Sequence, residues 1–288
     1  IQNLIQIEPD DKIRAYIKVP NLSDPELLQR CSIIMCTERG IVKKTELEAY
    51  SRPRSAGINA INILDGDKLI GAALCDEQSQ VVIATSAGMA NRFFASDVRD
   101  MGRNATGVRG IRLAAADAPD DGDDAAEGAA DAASAAPGVR VVGMSVVAAD
   151  DQQLLVVSAN GYGKRSDVAE YRRTKRGSKG VRAMNMTEKT GALIAIADVS
   201  ETDDLMIITR EGILIRMAVA DVAYTGRNAQ GVRLIRLREG DAIAAVTVMR
   251  EQPAAASEEG APDGGATPEL GVLEGAGLNG HAPVGEAE

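Results

Sequence analysis

Lysine and arginine recur at one fixed offset in this chain. Four times a short aliphatic run ends in a turn glycine, at Gly40, Gly88, Gly161 and Gly212, and four positions later stand Lys44, Arg92, Arg165 and Arg216. A second glycine follows at 17 residues once and at 19 residues three times (Gly57, Gly107, Gly180, Gly231). Two positions beyond it stand Asn59, Arg109, Arg182 and Arg233. The loops between the two glycines add Arg52 and Arg54, then Arg99 and Arg103, then Arg172, Arg173, Lys175, Arg176 and Lys179, and finally Arg227, while Lys43 and Lys164 precede the fixed-offset cation in two copies. Cations placed this way suit contact with phosphates, which is independent of base sequence and weakens steeply with salt. For any single arginine, protection of an exposed strand edge is an equally good reading. Recurrence in every copy favours a shared surface.

Other chemistry is poorly supplied. The single histidine, His281, lies in a polar tail, so no nucleophile–base pair is visible, and Cys31, Cys36 and Cys75 show no metal-ligand spacing. No cofactor or metal is expected. Gly161-Tyr162-Gly163-Lys164 resembles a phosphate loop only superficially, because the spacing and the following helix pattern are missing. With no Trp and two Phe, base stacking on aromatic platforms is not expected either.

The elements that must position these cations read as strands. The turn glycines are separated by 48, 73 and 51 residues, and the long interval shrinks to about 48 when a 25-residue acidic insertion, 114–138, is removed. A period near 50 with β-rich content predicts a propeller or solenoid. Asn160-Gly161 predicts a two-residue hairpin turn of type I′. Gly107-Val108-Arg109-Gly110-Ile111-Arg112-Leu113 and Gly231-Val232-Arg233-Leu234-Ile235-Arg236-Leu237 alternate apolar and basic residues, so one face is core and the other presents arginine. The reading is an all-β, propeller-like ring of four-stranded blades over 1–250, four full blades plus part of another, with a short helical stretch around Asp24–Gln29. Ile1 stands in mid-pattern, so the chain is expected to be a piece of something longer. Blades in a ring place equivalent positions on one rim, which turns the repeated cations into a belt able to bend duplex DNA through its backbone alone.

The net charge of −10 conceals this belt. Segment 114–138 holds seven acidic residues and segment 251–288 holds eight, neither with any basic residue. Without those 15 of the 42 acidic residues, 27 remain against 32 basic ones. Both segments are rich in Ala, Gly, Pro and acid and are expected to be disordered. No apolar run approaches the roughly 20 residues of a membrane helix, and free cysteines suit a reducing cytoplasm.

Several segments closely resemble the C-terminal domain of bacterial DNA gyrase A: Gly40-Ile41-Val42-Lys43-Lys44-Thr45, Asn160-Gly161-Tyr162-Gly163-Lys164-Arg165, Gly107 to Leu113, and Gly226-Arg227-Asn228-Ala229-Gln230-Gly231-Val232. The resemblance spans about residues 1–250. It implies a β-pinwheel, in which neighbouring blades exchange strands. It also implies a non-catalytic role: wrapping DNA round the basic rim so that strand passage by the parent ATP-dependent type II topoisomerase introduces negative supercoils. The implied partners are double-stranded DNA and, in a heterotetramer, the rest of gyrase A together with gyrase B; the implied location is the bacterial cytoplasm, at the nucleoid. The family's Gln-Arg-Arg-Gly-Gly-Lys-Gly box has its nearest match in Thr174-Lys175-Arg176-Gly177-Ser178-Lys179-Gly180, a degenerate version in a later blade. Expected phosphate contacts are therefore Lys43, Lys44, Arg52, Arg54, Arg92, Arg103, Arg109, Lys164, Arg165, Arg172, Arg173, Lys175, Arg176, Lys179, Arg182, Arg216, Arg227 and Arg233. The alternatives are the corresponding domain of topoisomerase IV, binding DNA without strong wrapping, and a protein-binding propeller whose rim meets an acidic partner.

Overall fold

In the computed structural model, the described residues are 12–54, 57–116 and 136–250. The acidic tail 251–288 and residues 117–135 of the insertion lie outside them, as do residues 1–11, where the partial leading blade was expected. The short helix falls where expected, as α1 at Pro25–Arg30, capped by the Asp24 carboxylate accepting from the Glu26 amide at 3.0 Å.

Each repeat opens with a hairpin and adds a third antiparallel strand. The first is β1 (Ser32–Thr37), β2 (Ile41–Glu46) and β3 (Leu69–Cys75). The second is β4 (Gln80–Thr85), β5 (Met89–Phe94) and, after the two-residue strand β6 (Val108–Arg109), β7 (Val141–Val147). The third is β8 (Gln153–Ser158), β9 (Tyr162–Asp167) and, after β10 (Val181–Arg182), β11 (Leu193–Val199). The fourth is β12 (Asp204–Thr209), β13 (Leu214–Ala218) and, after β14 (Val232–Arg233), β15 (Ile243–Met249).

The two-residue strands join the preceding sheet. β6 pairs with β2, β10 with β5 and β14 with β9, giving sheet orders β3-β1-β2-β6, β10-β5-β4-β7 and β11-β8-β9-β14. The fourth sheet, β13-β12-β15, has three strands among the described residues, which hold no later repeat to supply its outer one. Strands β3, β7, β11 and β15 pack against one another in series. One edge of every sheet is thus turned inward, and the exchanged strands form the outer edge. Arg109, Arg182 and Arg233 occupy the same register there, opposite Ile41, Met89 and Tyr162.

The central strands are apolar without alternation because sheets cover both their faces. In β4, Val81 and Ile83 pack with Ile34, Cys36 and Phe93 towards the first sheet, whereas Val82 and Ala84 pack with Leu154 and Val156 towards the third. In β12 the inward Leu205 and Ile207 are buried while the outward Ile208 is exposed, since nothing described covers that face.

The hairpin turns differ from the two-residue type expected at Asn160-Gly161. The Gly161 amide donates to the Ser158 carbonyl at 3.1 Å, and Gly40, Gly88 and Gly212 repeat this bond to Thr37, Thr85 and Thr209. Each loop therefore has three residues and needs a left-handed residue only at its final glycine, where φ is +78° to +86°. The insertion leaves and returns at one point, with the Ala136 amide donating to the Leu113 carbonyl at 2.8 Å, which is how the repeat tolerates it.

The second glycine is constrained where its strand is exchanged. At Gly180 (φ +77°) a Cβ would lie 2.1 Å from the Ala90 carbonyl oxygen, whereas at the equivalent Gly57 (φ +78°) a Cβ would meet nothing within 4 Å. Left-handed backbone costs an alanine about 1–2 kcal/mol, and steric overlap adds roughly 1–3 kcal/mol. Gly180→Ala should thus destabilise by about 3 kcal/mol or more and Gly57→Ala by about 1 kcal/mol, as read from urea unfolding; equal losses would contradict the exchanged packing.

Candidate nucleic-acid interface

Successive side chains on the strand after each turn glycine point to opposite faces, so positions three and four serve different neighbours. The position-four cations of the first three repeats are buried, with Lys44 and Arg165 6% and Arg92 3% exposed. Each reaches into the following repeat. Arg92 donates to the carbonyls of Val168 (2.7 Å) and Tyr171 (3.0 Å), at the 3-10 turn Val168–Glu170, and to Gln80 Oε1 at 2.8 Å, and it pairs with Asp150. Arg165 donates to the carbonyls of Val222 (2.8 Å) and Ala220 (3.3 Å) at the equivalent turn, and to Gln153 Oε1 and Glu201 Oε1 at 2.9 and 2.8 Å. Lys44 pairs with Asp100 at 3.4 Å. These segments also meet as isolated parallel bridges, Lys44 with Asp100, Arg92 with Arg173 and Arg165 with Tyr224.

These cations staple one repeat to the next. Their recurrence predicts a place on the DNA-facing belt; the structure puts them inside, where the guanidinium forks of Arg92 and Arg165 fill the carbonyls of a neighbouring turn and Lys44 meets the Asp100 carboxylate. Arg216 meets no following repeat among the described residues. It is exposed and bonds Asp204 of its own sheet, with Nε to Oδ2 at 2.8 Å.

Position three holds Lys43, Asn91, Lys164 and Ile215. Lys43 and Lys164 are fully buried. The Lys43 ammonium donates to the Ala60 carbonyl (2.5 Å) and to that of Arg103, and Lys164 donates to the Gly226 carbonyl at 2.6 Å. They too leave the expected belt. Burial pushes both pKa values down to about 8 from 10.5. Between those values the unfolded chain binds the proton and the fold sheds it, so this contribution to stability grows as pH rises towards 10.5 and is lost as pH falls through 8. Lys179, at 7% exposure, is also buried.

The remaining expected residues stay at the surface. Arg52, Arg54, Arg172, Arg173, Lys175, Arg182, Arg216 and Arg233 are exposed or nearly so, and Arg103, Arg109, Arg176 and Arg227 are partly so. Arg173 lies over the Phe94 ring, 4.8 Å from its centroid. The geometry also joins arginines that are far apart in the chain. Arg176 Nη1 donates to the Arg109 carbonyl at 2.7 Å, and Arg227 Nη1 donates to the Arg182 carbonyl at 2.9 Å. At two successive blade junctions the arginine of an exchanged strand is thus paired with the loop arginine of the next repeat, four residues before its second glycine.

At the third junction Arg233 bonds the Tyr162 hydroxyl (Nη2 at 2.9 Å), which holds that phenol below its usual pKa. Lys189 lies 5.3 Å from the centre of the same ring. With Arg236 they line an open cavity of about 630 Å³. Lys189 escapes the sequence pattern because it lies outside both glycine-bounded intervals. The carboxylates Asp100, Asp150 and Glu201 escape it because they pair across repeats.

Removing a buried guanidinium leaves the buried oxygens it served without a donor, at about 1–3 kcal/mol each, against roughly 0–1 kcal/mol for losing an exposed ion pair. Arg92→Met, which orphans the Val168 and Tyr171 carbonyls and Gln80 Oε1, should therefore lower stability by about 3 kcal/mol or more and Arg216→Met by less than about 1 kcal/mol in urea melts. Equal effects would mean that the inward position of Arg92 carries no weight.

The family model described as "DNA gyrase C-terminal domain, beta-propeller" matches residues 32–76, 79–118, 152–200 and 203–248, one segment per repeat. The chain is 37% identical over 266 residues to the DNA gyrase A protein of Klebsiella oxytoca, covering 92% of this chain and 27% of that protein. It is 36% identical over 252 residues to that of Staphylococcus aureus strain NCTC 8325, covering 87% and 26%. The chain thus spans about a quarter of the length of these relatives. Among solved structures, a DNA gyrase A C-terminal domain aligns with TM-score 0.68 at 22% identity over 86% of this chain and 74% of that one. The C-terminal domain of a DNA topoisomerase IV aligns with TM-score 0.70 at 21% identity over 86% and 69%. Strand exchange, the four matched repeats and the identity to full-length relatives agree, and the chain belongs to the DNA gyrase C-terminal domain family.

Proposed function

We propose that this chain binds duplex DNA along the outer edge of its sheets and wraps it, as the non-catalytic C-terminal domain of a DNA gyrase A protein. The observation that carries the reading is the repeated pairing of an exchanged-strand arginine with a loop arginine of the next repeat, Arg109 with Arg176 and Arg182 with Arg227. Guanidinium groups recurring at equal register along one edge can meet successive stretches of a phosphate backbone and read no base. Arg233, Arg103, Arg172, Arg173 and Lys175 extend the same contact, with Arg52 and Arg54 on the first repeat. Bending 20–30 bp costs on the order of 1–6 kcal/mol, so many such contacts must act together. Within the parent enzyme, the wrapped segment would be presented for strand passage towards negative supercoiling, in assembly with the rest of gyrase A and with gyrase B at the bacterial nucleoid. The fold is shared with the topoisomerase IV domain; identity to gyrase A over most of the chain favours gyrase.

Binding should weaken with salt along a log–log slope of several units, at about 0.9 per phosphate neutralised. Arg182→Ala with Arg227→Ala should cut that slope by about 2 while leaving stability within roughly 1 kcal/mol. An unchanged slope would remove these arginines from the contact, and no binding at low salt would sink the DNA reading. Wrapping is tested by ligating nicked circles in the presence of the domain, where a shift in the topoisomer distribution is expected. The acidic segment 251–288 competes for the same cations in this reading, so its deletion should raise affinity at low salt; unchanged or weaker binding would refute the competition.

A further inference from the structure

The basic loops of the second, third and fourth repeats each rest on the position-three side chain of the repeat before, and the side chain differs with the loop. Lys43 holds the loop Gly102-Arg103-Asn104-Ala105-Thr106-Gly107 through the Arg103 carbonyl, and Lys164 holds Gly226-Arg227-Asn228-Ala229-Gln230-Gly231 through the Gly226 carbonyl. In both cases the ammonium, which can only donate, meets backbone oxygens. Asn91 takes this place beneath Thr174-Lys175-Arg176-Gly177-Ser178-Lys179-Gly180 and is fully buried. Its Nδ2 donates to the carbonyls of Gly110 (3.0 Å) and Lys175 (3.3 Å). Its Oδ1 accepts from the hydroxyls of Ser178 (3.0 Å) and Thr174, which lie 2.9 Å from each other. The loop is docked further by the Gly177 amide on the Gly110 carbonyl at 2.9 Å and by the Ser178 carbonyl accepting from the Arg112 amide at 3.0 Å.

A lysine at position 91 could satisfy neither hydroxyl as an acceptor. It would also put a further positive charge under a segment that already carries Lys175, Arg176 and Lys179. A neutral amide supplies both donor and acceptor and adds no charge. We propose that Asn91 is a positioning residue matched to its loop: the amide fixes the hydroxyl-bearing, cation-dense 174–180 loop in the shape that grips phosphate, whereas lysine at the equivalent place selects the Gly-Arg-Asn-Ala type of loop. For its affinity readout the inference rests on the DNA-binding reading; its structural readout does not.

The test uses the full chain with Asn91→Lys. Amide exchange across 174–180 should quicken on the order of tenfold or more while 226–231 keeps its protection, and the salt slope of duplex binding should fall by about 2, one each for Lys175 and Arg176. Replacing residues 175–180 of that variant by Gly-Arg-Asn-Ala-Thr-Gly, the sequence at 102–107, should restore protection, which a merely damaged core would not allow. Unchanged protection in Asn91→Lys, or no restoration by the matched loop, overturns the pairing. Should Asn91→Lys fail to fold, Thr174→Ala, which removes a hydroxyl held by Asn91 and serving no backbone amide, carries the test, quicker exchange at 174–180 supporting the proposal and unchanged exchange refuting it. Should the unmodified chain show no salt-dependent DNA binding, the functional reading falls while the exchange results still decide the pairing.

Discussion

Each of the first three sheets takes its outermost strand from the next repeat, and the other features follow from this dependence. A two-residue strand cannot be held by two ladder bonds in water. It is held here because its flanks are fixed on both sides: the preceding glycine lies against the receiving strand, and the following Gly110 or Leu234 amide returns to the turn glycine's carbonyl. Exchange closes an edge that would otherwise invite pairing with other chains. It also carries one arginine of every donated strand to the outside at constant register.

The same dependence explains where the other cations go. Two sheets joined by so short a strand need a second tie. Arg92 and Arg165 provide it by filling the open carbonyls of the next repeat's 3-10 turn, and Lys44 by its pair with Asp100. A buried guanidinium is tolerable because its donors are answered by carbonyls, an amide oxygen and a carboxylate. The basic residues therefore divide into two populations with opposite tasks: inward ones that hold neighbouring sheets at fixed separation, and outward ones whose spacing that separation sets. Stability of the inner set and regularity of the outer set are one property.

Position three shows how the two populations are coupled. Lys43, Asn91 and Lys164 lie inside, yet each shapes a loop that displays charge outside. The exposed apolar residues of the last repeat, Ile208, Ile213 and Leu214, mark the same logic from the other direction. They occupy positions that are covered in earlier repeats, and Arg216 turns to Asp204 of its own sheet where its counterparts reach a neighbour.

Much of this is legible in the residues. Glycine at a recurring offset needs a left-handed turn, and uninterrupted aliphatic runs need cover on both faces, so the period, the all-β class and the four hairpins can be read directly. The excess of cations outside the acidic segments is equally plain. Sequence cannot say which way each cation faces. Lys44 and Arg109 look alike along the chain, yet one sits in the middle of a covered strand and the other on a donated outer strand. Nor can it reveal that Asp150 answers Arg92 or that Arg227 rests on Arg182, since those partners are joined only when one repeat lends a strand to another. Local composition determined the elements and their number; strand exchange between repeats, a long-range contact with no local signature, decided which charges are structural and which are displayed.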